Sequence, residues 1–200
     1  MLFQKINERK SFAGILAEGE NFENLEFVEC DFSNAVLTDA RISHCRFDHC
    51  KFHGCKLNGA EIQASAFTNC RFLYADLFGT VFDHCKLTGS AFAGADASCI
   101  QIFSGDWSYC DLRGVNLSKM ELKEINFTGS DLRECKLEKS RIRNCKFEGA
   151  LMTNASFQDS DLRDSNIDYI DVLHINFKNV KIDLEQAVSI AGALGCKYMP

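Results

Sequence analysis

The large apolar side chains of this chain recur at every fifth residue, from Phe22 to Ile182. We call these the central positions, and Ala97 is the one small residue among them. Neither an α-helix, with a period of about 3.6 residues, nor a strand, with a period of about 2, produces this spacing. A period of five therefore predicts that each five-residue unit forms one side of a coil and points its central residue inward.

The residues around each central position also repeat. Two residues before it, at what we call the small position, the usual residue is Cys, Ala or Ser. Two residues after it, at the turn position, Gly and Asn are frequent, and both tolerate the positive φ that a tight turn needs. Because one unit cannot bury its own Phe or Leu, the coils are expected to stack and to pair their backbones.

Residues twenty positions apart share their character, which predicts four sides to each coil. One column of central positions is mainly aromatic: Phe27, Phe47, Phe67, Leu87, Trp107, Phe127 and Phe147. We therefore expect an all-β solenoid over residues 21–182, in the form of a right-handed quadrilateral parallel β-helix of pentapeptide repeats. At a strand spacing of about 4.8 Å, roughly eight coils would make a shaft of about 40 Å.

The two ends depart from the period. Residues 1–20 keep it only loosely and are expected to form an N-terminal cap.

Residues 183–200 predict a short C-terminal α-helix and tail, with Asp183 as N-cap, Gln186 three residues later and Gly195 at the end. One helical face would carry Leu184, Ala187, Val188, Ala191 and Leu194. This face would either close the last coil or form a homodimer contact. We favour dimerisation, because symmetric dimers are the commonest oligomers.

Composition narrows the class of protein. The formal net charge is −6, which disfavours direct nucleic-acid binding, since such domains usually carry a basic face. The 11 Cys are an odd number, which argues against a closed disulfide framework and indicates a reducing, cytoplasmic compartment. The first residues do not resemble a signal peptide, and no apolar stretch approaches the length that spans a membrane.

Cysteines and histidines crowd together at residues 44–55, yet their positions do not predict a metal site. The three Cys of this segment fall at small positions, which point inward, whereas the three His fall at turn or flanking positions, which point outward. Ligands that face opposite ways cannot complete a tetrahedral site. No Gly-rich phosphate loop or nucleophile with its base stands out either. We therefore expect no cofactor, no metal and no catalytic residues.

Acidic residues gather in stretches that are poor in bases, and these give a candidate partner-binding surface. The residues are Asp96, Asp106, Asp111, Asp131, Asp159, Asp161, Asp164, Asp168 and Asp171. An acidic strip of this kind would dock on a basic groove of a partner protein. The same pattern is also typical of a solvated surface with local charge bias.

The five-residue period resembles the pentapeptide-repeat family, whose units read Ala-Asp/Asn-Leu-x-x, and residues 75–79 and 130–134 are examples. Residues 27–33, 95–102 and 180–195 further resemble the quinolone-resistance (Qnr) and toxin-immunity branch of that family. Members of this branch are dimeric rods that resemble B-form DNA in size and charge and bind DNA gyrase and other type II topoisomerases. The resemblance implies a non-enzymatic DNA mimic that protects gyrase from a quinolone or a toxin.

Charge limits how far such mimicry can extend. Duplex DNA carries one charge per ~1.7 Å, so a shaft of about 40 Å would need roughly 23 phosphate equivalents. The net charge of −6 is far smaller, so mimicry could hold along only one side of the rod. The unbroken frame also resembles the Qnr proteins that lack inserted loops. The alternative function is a structural or scaffolding rod that binds an unrelated protein.

Overall fold

The computed structural model describes residues 3–197 and residue 199. The first two residues of the expected cap, and Tyr198 and Pro200 of the expected tail, lie outside the described residues. The chain forms a parallel β-solenoid that ends in a short α-helix, as the sequence predicts. Its elements are β1 (Ile6–Glu8), β2 (Asn21–Glu23), β3 (Glu26–Val28), β4 (Arg41–Ser43), β5 (Arg46–Asp48), β6 (Glu61–Gln63), β7 (Ala66–Thr68), β8 (Val81–Lys86), β9 (Gln101–Asp106), β10 (Glu121–Lys123), β11 (Ile125–Asn126), β12 (Arg141–Arg143), a 3-10 helix (Val172–His174) and α1 (Leu184–Ala193).

The backbone register confirms the four-sided coil. Paired residues lie twenty positions apart, as Asn21 with Arg41 in β2 and β4 and Asp31 with Lys51 in an isolated bridge. We number the sides by their central residues: side 1 carries Phe22 and Ile42, side 2 Phe27 and Phe47, side 3 Phe32 and Phe52, and side 4 Leu37 and Leu57. The named strands lie on sides 1 and 2, and single bridges join the coils on sides 3 and 4.

The central residues fill the interior of the solenoid. All of them from Phe22 to Val172 are buried, and Phe177 and Ile182 in the last coil are half-buried. On side 3 the aromatic rings stack along the axis: the centroids of Phe52 and Phe72 lie 4.8 Å apart with an interplanar angle of 8°. Stacked rings of neighbouring coils exclude water, and this burial is the main stabilising contribution to the rod.

Side chains at the small positions are tied to the neighbouring coil. Ser90 Oγ donates to Phe67 O at 2.7 Å and accepts the N–H of Cys70 at 2.9 Å. Cys70 Sγ makes the equivalent contact with Phe47 O at 3.5 Å. A small hydroxyl or thiol therefore fills the narrow corner and satisfies backbone groups there.

The ladder begins earlier than the expected boundary at residue 21. β1 pairs with β3, and Ser11 bridges Asp31, so much of the segment expected as a cap forms a coil of its own. Asn7 replaces the apolar central residue, and its buried amide Nδ2 donates to Gln4 O at 2.6 Å. The five-residue pattern of apolar residues did not predict this coil, because Asn7, a polar residue with satisfied hydrogen bonds, occupies the central position.

The ladder is interrupted in the middle of the shaft, on sides 4 and 1. In the described part of the chain, β10 pairs with β12 and not with β9, which divides the sheet in two. On side 2, Gly105 of β9 still pairs with Ile125 of β11. Large side chains occupy the small positions here: Ile100, Val115, Met120 and Ile125. Ile100 and Met120 lie in the same corner, between sides 4 and 1, and the bulk of these two side chains explains why the coils separate there.

A second irregularity precedes the C-terminal helix. The turn positions have positive φ from Arg9 to Asn179, except at His174, which belongs to the 3-10 helix. Asp171 caps that helix by accepting the N–H of Leu173 at 3.1 Å, and its other oxygen lies 2.9 Å from His174 Nδ1. This local cap competes with the ordinary turn, so the coil changes its shape at this point.

Candidate partner-binding surfaces

The candidate acidic residues do not form one strip. Side 1 carries Asp161 and Asp164, side 2 Asp106 and Asp168, side 3 Asp111, Asp131 and Asp171, and side 4 Asp96 and Asp159, with the turn residues at the corner that ends each side. Five residues along the chain correspond to one side around the rod. Acids that are close in sequence are therefore distributed around the rod, and the partner-binding role of these nine residues stays a proposal.

Arginines pair with four of the nine acids: Arg143 Nε lies 3.5 Å from Asp164 Oδ2, and the other three acids each form a two-point pair. Arg113 binds Asp111 through Nε at 2.8 Å and Nη2 at 2.6 Å. The equivalent pairs are Arg133 with Asp131 and Arg163 with Asp161. The arginine hydrogen bonds lower the pKa of each of these three carboxyl groups. Each pair therefore offers a partner little net negative charge at neutral pH.

Other acids shape the turns of the coil. Asp96 Oδ1 accepts the N–H of Ser98 at 2.9 Å, and Asp106 Oδ1 accepts the N–H of Ser108 at 3.1 Å. Hydrogen bonds from Ser98 lower the pKa of Asp96. A carboxylate in this position satisfies a backbone donor of the following turn. The Asp of the repeat thus has a structural role, whether or not a partner also contacts it.

Two of the acids lie against the C-terminal helix. Ser189 Oγ donates to Asp168 Oδ1 at 3.2 Å, and the N–H of Asp164 donates to Asp183 Oδ2 at 2.8 Å. Together with Asp183 and Glu185, both residues line a cleft beside the helix. The structure thus brings acidic side chains together at the helix.

The helix closes the last coil through residues outside the predicted apolar face. Asp183 and Gln186 form the expected capping box, in which Asp183 Oδ1 accepts the N–H of Gln186 at 3.0 Å. The buried Gln186 also donates through Nε2 to Leu162 O at 2.6 Å and to Ser165 O at 2.7 Å. Ile190 packs against the core. The helix is therefore held on the last coil by the Gln186 amide and by the packing of Ile190.

The predicted face of the helix points largely to solvent. Leu184 is 74% exposed, Leu194 56% and Val188 37%, while Ala187 and Ala191 are half-buried. Exposed leucines on a helix that already closes its own coil are typical of a surface that contacts another chain. The predicted homodimer contact therefore stays a proposal, with its side chains accessible.

The cysteines and histidines of residues 44–55 lie on opposite sides of the wall of the solenoid. Cys45, Cys50 and Cys55 are buried, whereas His44 and His49 are exposed. Across the described residues, His, Cys, Asp and Glu form no group of three or more that could hold a metal ion. Within residues 3–197 and residue 199, no helix has the length and hydropathy needed to cross a membrane.

Comparison with known sequences matches the family described as "Pentapeptide repeat region" to residues 20–99 and 100–183. The matched residues are most of the chain, and they lie within the coils of the solenoid. The chain belongs to the pentapeptide-repeat family. Comparison of this pentapeptide-repeat protein with curated proteins found no match.

Solved structures of QnrB1, a plasmid-mediated fluoroquinolone resistance protein, have the same fold. One trypsin-treated variant of QnrB1 has a TM-score of 0.84 at 23% sequence identity, and the match covers 99% of this chain and 100% of that one. A second has a TM-score of 0.77 at 25% identity, covering 97% of each chain. Full-length QnrB1 has a TM-score of 0.77 at 23% identity, covering 95% of this chain and 99% of that one. The likeness thus extends from end to end of the rod.

Proposed function

We propose that this pentapeptide-repeat protein is a non-enzymatic protein that binds DNA gyrase or another type II topoisomerase and protects it from an inhibitor. The observation that carries the proposal is the end-to-end likeness to QnrB1, which includes the rod and its C-terminal helix. The coils of the described residues carry no long loops, so they offer a partner the sides and the ends of the rod. The proposed protection would come from competition with DNA for the enzyme or from displacement of a bound quinolone or toxin.

The proposed dimer supplies the length and the charge that one chain lacks. Contact through Leu184 and Val188 of two chains would double the shaft to about 80 Å at the same coil spacing. It would also place the acidic clefts of both chains, each with Asp164 and Asp168, near the centre of the assembly. Acidic groups in close proximity raise the local negative potential even when the total charge is modest.

A gyrase supercoiling assay with a fluoroquinolone tests this function. Adding the protein should restore supercoiling in the presence of the drug, in a dose-dependent manner. The double variant Leu184→Asp with Val188→Asp should lose this effect, whereas Leu151→Asp, a matched control on side 3, should keep it. Leu151 is 54% exposed, so its replacement leaves the core and the helix unchanged. Supercoiling that stays inhibited at every protein concentration would reject the proposal.

A scaffolding rod with an unrelated partner is the alternative function. The distribution of acids over all four sides, and the three arginine pairs, favour this alternative over extensive DNA mimicry. The same assay separates the two functions, because a scaffold would leave both supercoiling and drug inhibition of gyrase unchanged.

A further inference from the structure

The interruption of the ladder leaves backbone groups of two neighbouring coils without the partners that they have elsewhere. On side 4, the N–H of Leu77 donates to Asp96 O at 2.8 Å. One coil further, the N–H of Ala97 donates to no backbone carbonyl within the described chain. The N–H groups of Asn116 and Glu121, on the facing coil, also lack backbone acceptors there. An extended peptide has the donors and acceptors that such strand edges require.

A cleft with an apolar floor lies over this interruption. Its volume is about 540 Å³, and Ile100, Ile102 and Met120 line it. Phe103 stands at the rim and is 50% exposed. Ile100 and Met120 occupy small positions of the same corner, so both apolar side chains lie where the coils separate. An apolar side chain of a ligand could therefore be buried between them.

Two charged residues line the cleft, Lys119 and Glu121, and of these only Glu121 forms an ion pair within the described residues. Lys119 lines the cleft, and Lys139 stands at the same corner one coil further. Both are exposed. Glu121, the acidic residue of the rim, lies 3.7 Å from Arg141 and is thus already paired. An acidic group on a ligand would find a complementary partner here.

The two intact sides allow the cleft to open without breaking the rod. Side 3 is continuous at this level, because Asp111 bridges both Ala91 and Asp131. Side 2 is continuous through the pairing of Gly105 with Ile125. The coils are therefore joined along one corner and separated along the opposite corner, so that bending about the joined corner widens the cleft.

We propose that this cleft binds an extended peptide segment of a partner protein. An apolar side chain of the segment packs on Ile100 and Met120, and an acidic side chain pairs with Lys119. The backbone of the segment pairs with the free strand edge that includes Ala97. This inference rests on the interrupted ladder and holds whether or not the partner is gyrase.

Selection of peptides from a random seven-residue library displayed on phage tests the site directly. Ser118→Trp fills the cleft, and Gln158→Trp places the same side chain in the same column of side 4, two coils away. Selected peptides should carry an apolar residue next to an acidic one. They should bind the wild type and Gln158→Trp equally, and bind Ser118→Trp and Lys119→Glu about tenfold or more weakly. Failure to enrich peptides, or equal binding to Ser118→Trp, would overturn the proposal.

Amide hydrogen exchange provides a second measurement on the unliganded protein. The amides of Ala97 and Asn116 should exchange faster than those of Leu77 and Lys136, which occupy the same places in intact parts of the ladder. A selected peptide should slow the exchange of Ala97. Equal protection of Ala97 and Leu77 in the free protein would show that no strand edge is open and would refute the site.

Discussion

The ring of Tyr74 occupies the space that a β carbon on Gly94, one coil further along, would need. Such an atom would lie 2.6 Å from Cδ1 of the ring and 2.7 Å from Cε1. Tyr109 has the same relationship to Gly129, where the shortest distance is again 2.6 Å. A glycine at a turn position therefore does more than permit a positive φ, because it also provides a flat surface for the side chain of the preceding coil.

Replacement of Gly94 should destabilise the rod more than replacement of Gly114. Both residues have a left-handed backbone, with φ of 68° and 69°, so both Ala variants incur the same conformational cost of about 1 kcal/mol. Only Gly94→Ala also displaces the Tyr74 ring, at a further cost of about 1–3 kcal/mol. Urea unfolding, followed by the fluorescence of the buried Trp107, measures the difference. Adding Tyr74→Ala should remove the extra cost, and equal midpoints for both single variants would contradict the packing described.

Truncation of a central ring should be costly, whereas truncation of an outward ring should not. Phe72 is fully buried between Phe52 and Phe92, with ring centroids 4.8 and 4.9 Å away. Phe72→Ala should therefore lower the free energy of unfolding by about 3–5 kcal/mol through cavity formation. Phe78, which is 52% exposed, is the matched control, and Phe78→Ala should cost less than about 0.5 kcal/mol. Similar losses from both changes would refute the inward and outward assignment.

The fold was predictable because the five-residue period can be read from neighbouring residues, and because every unit has an apolar side chain that must be buried. A Phe or Leu at each central position must be buried. A four-sided coil buries this side chain and pairs its backbone N–H and C=O groups with those of the neighbouring coils. The capping box of Asp183 and Gln186 was predictable for the same reason, since a cap depends on residues three positions apart.

The candidate site was less predictable because partner surfaces depend on which residues meet around the rod. The register places Asp111 and Asp131, twenty residues apart, on the same side of the rod. Acids that are closer together in the sequence lie on different sides and form no strip. The spacing of Asp111 and Arg113 was a usable signal: the two residues flank one central position and face outward together. The cleft at Ile100 and Met120 was signalled only by bulky residues at small positions.

The buried thiols should make stability fall at high pH. Burial raises the pKa of Cys55, Cys110 and Cys135 to about 12, whereas these thiols ionise at their ordinary pKa of about 8.5 in the unfolded chain. The contribution of these thiols to the free energy of unfolding is therefore complete below about pH 8.5. It is lost as pH rises towards 12, by up to about 1.4 kcal/mol per thiol and pH unit. The variant with all three replaced by Ala should lose less stability between pH 8 and about 10.5 than the wild type. Cys99→Ala is the exposed control and should match the wild type; equal slopes for all three proteins would contradict the burial of these thiols.

The proposed dimer should separate when charge is placed on the exposed face of the helix. Leu184→Asp with Val188→Asp would bury two carboxylates in an apolar contact, at a cost that such a contact cannot offset. Light scattering should give about half the mass of the wild type, while Leu151→Asp should stay dimeric. A wild-type protein that is already monomeric at micromolar concentrations would exclude this interface.

Direct binding to DNA gyrase tests the central claim most simply. The purified protein, held on a sensor surface, would be exposed to gyrase holoenzyme with and without linear duplex DNA. We expect saturable binding that DNA reduces, that weakens as salt rises, and that decreases for Leu184→Asp with Val188→Asp but not for Leu151→Asp. The absence of binding by the folded wild-type protein, across the concentration range in which gyrase binds DNA, would contradict the proposed function.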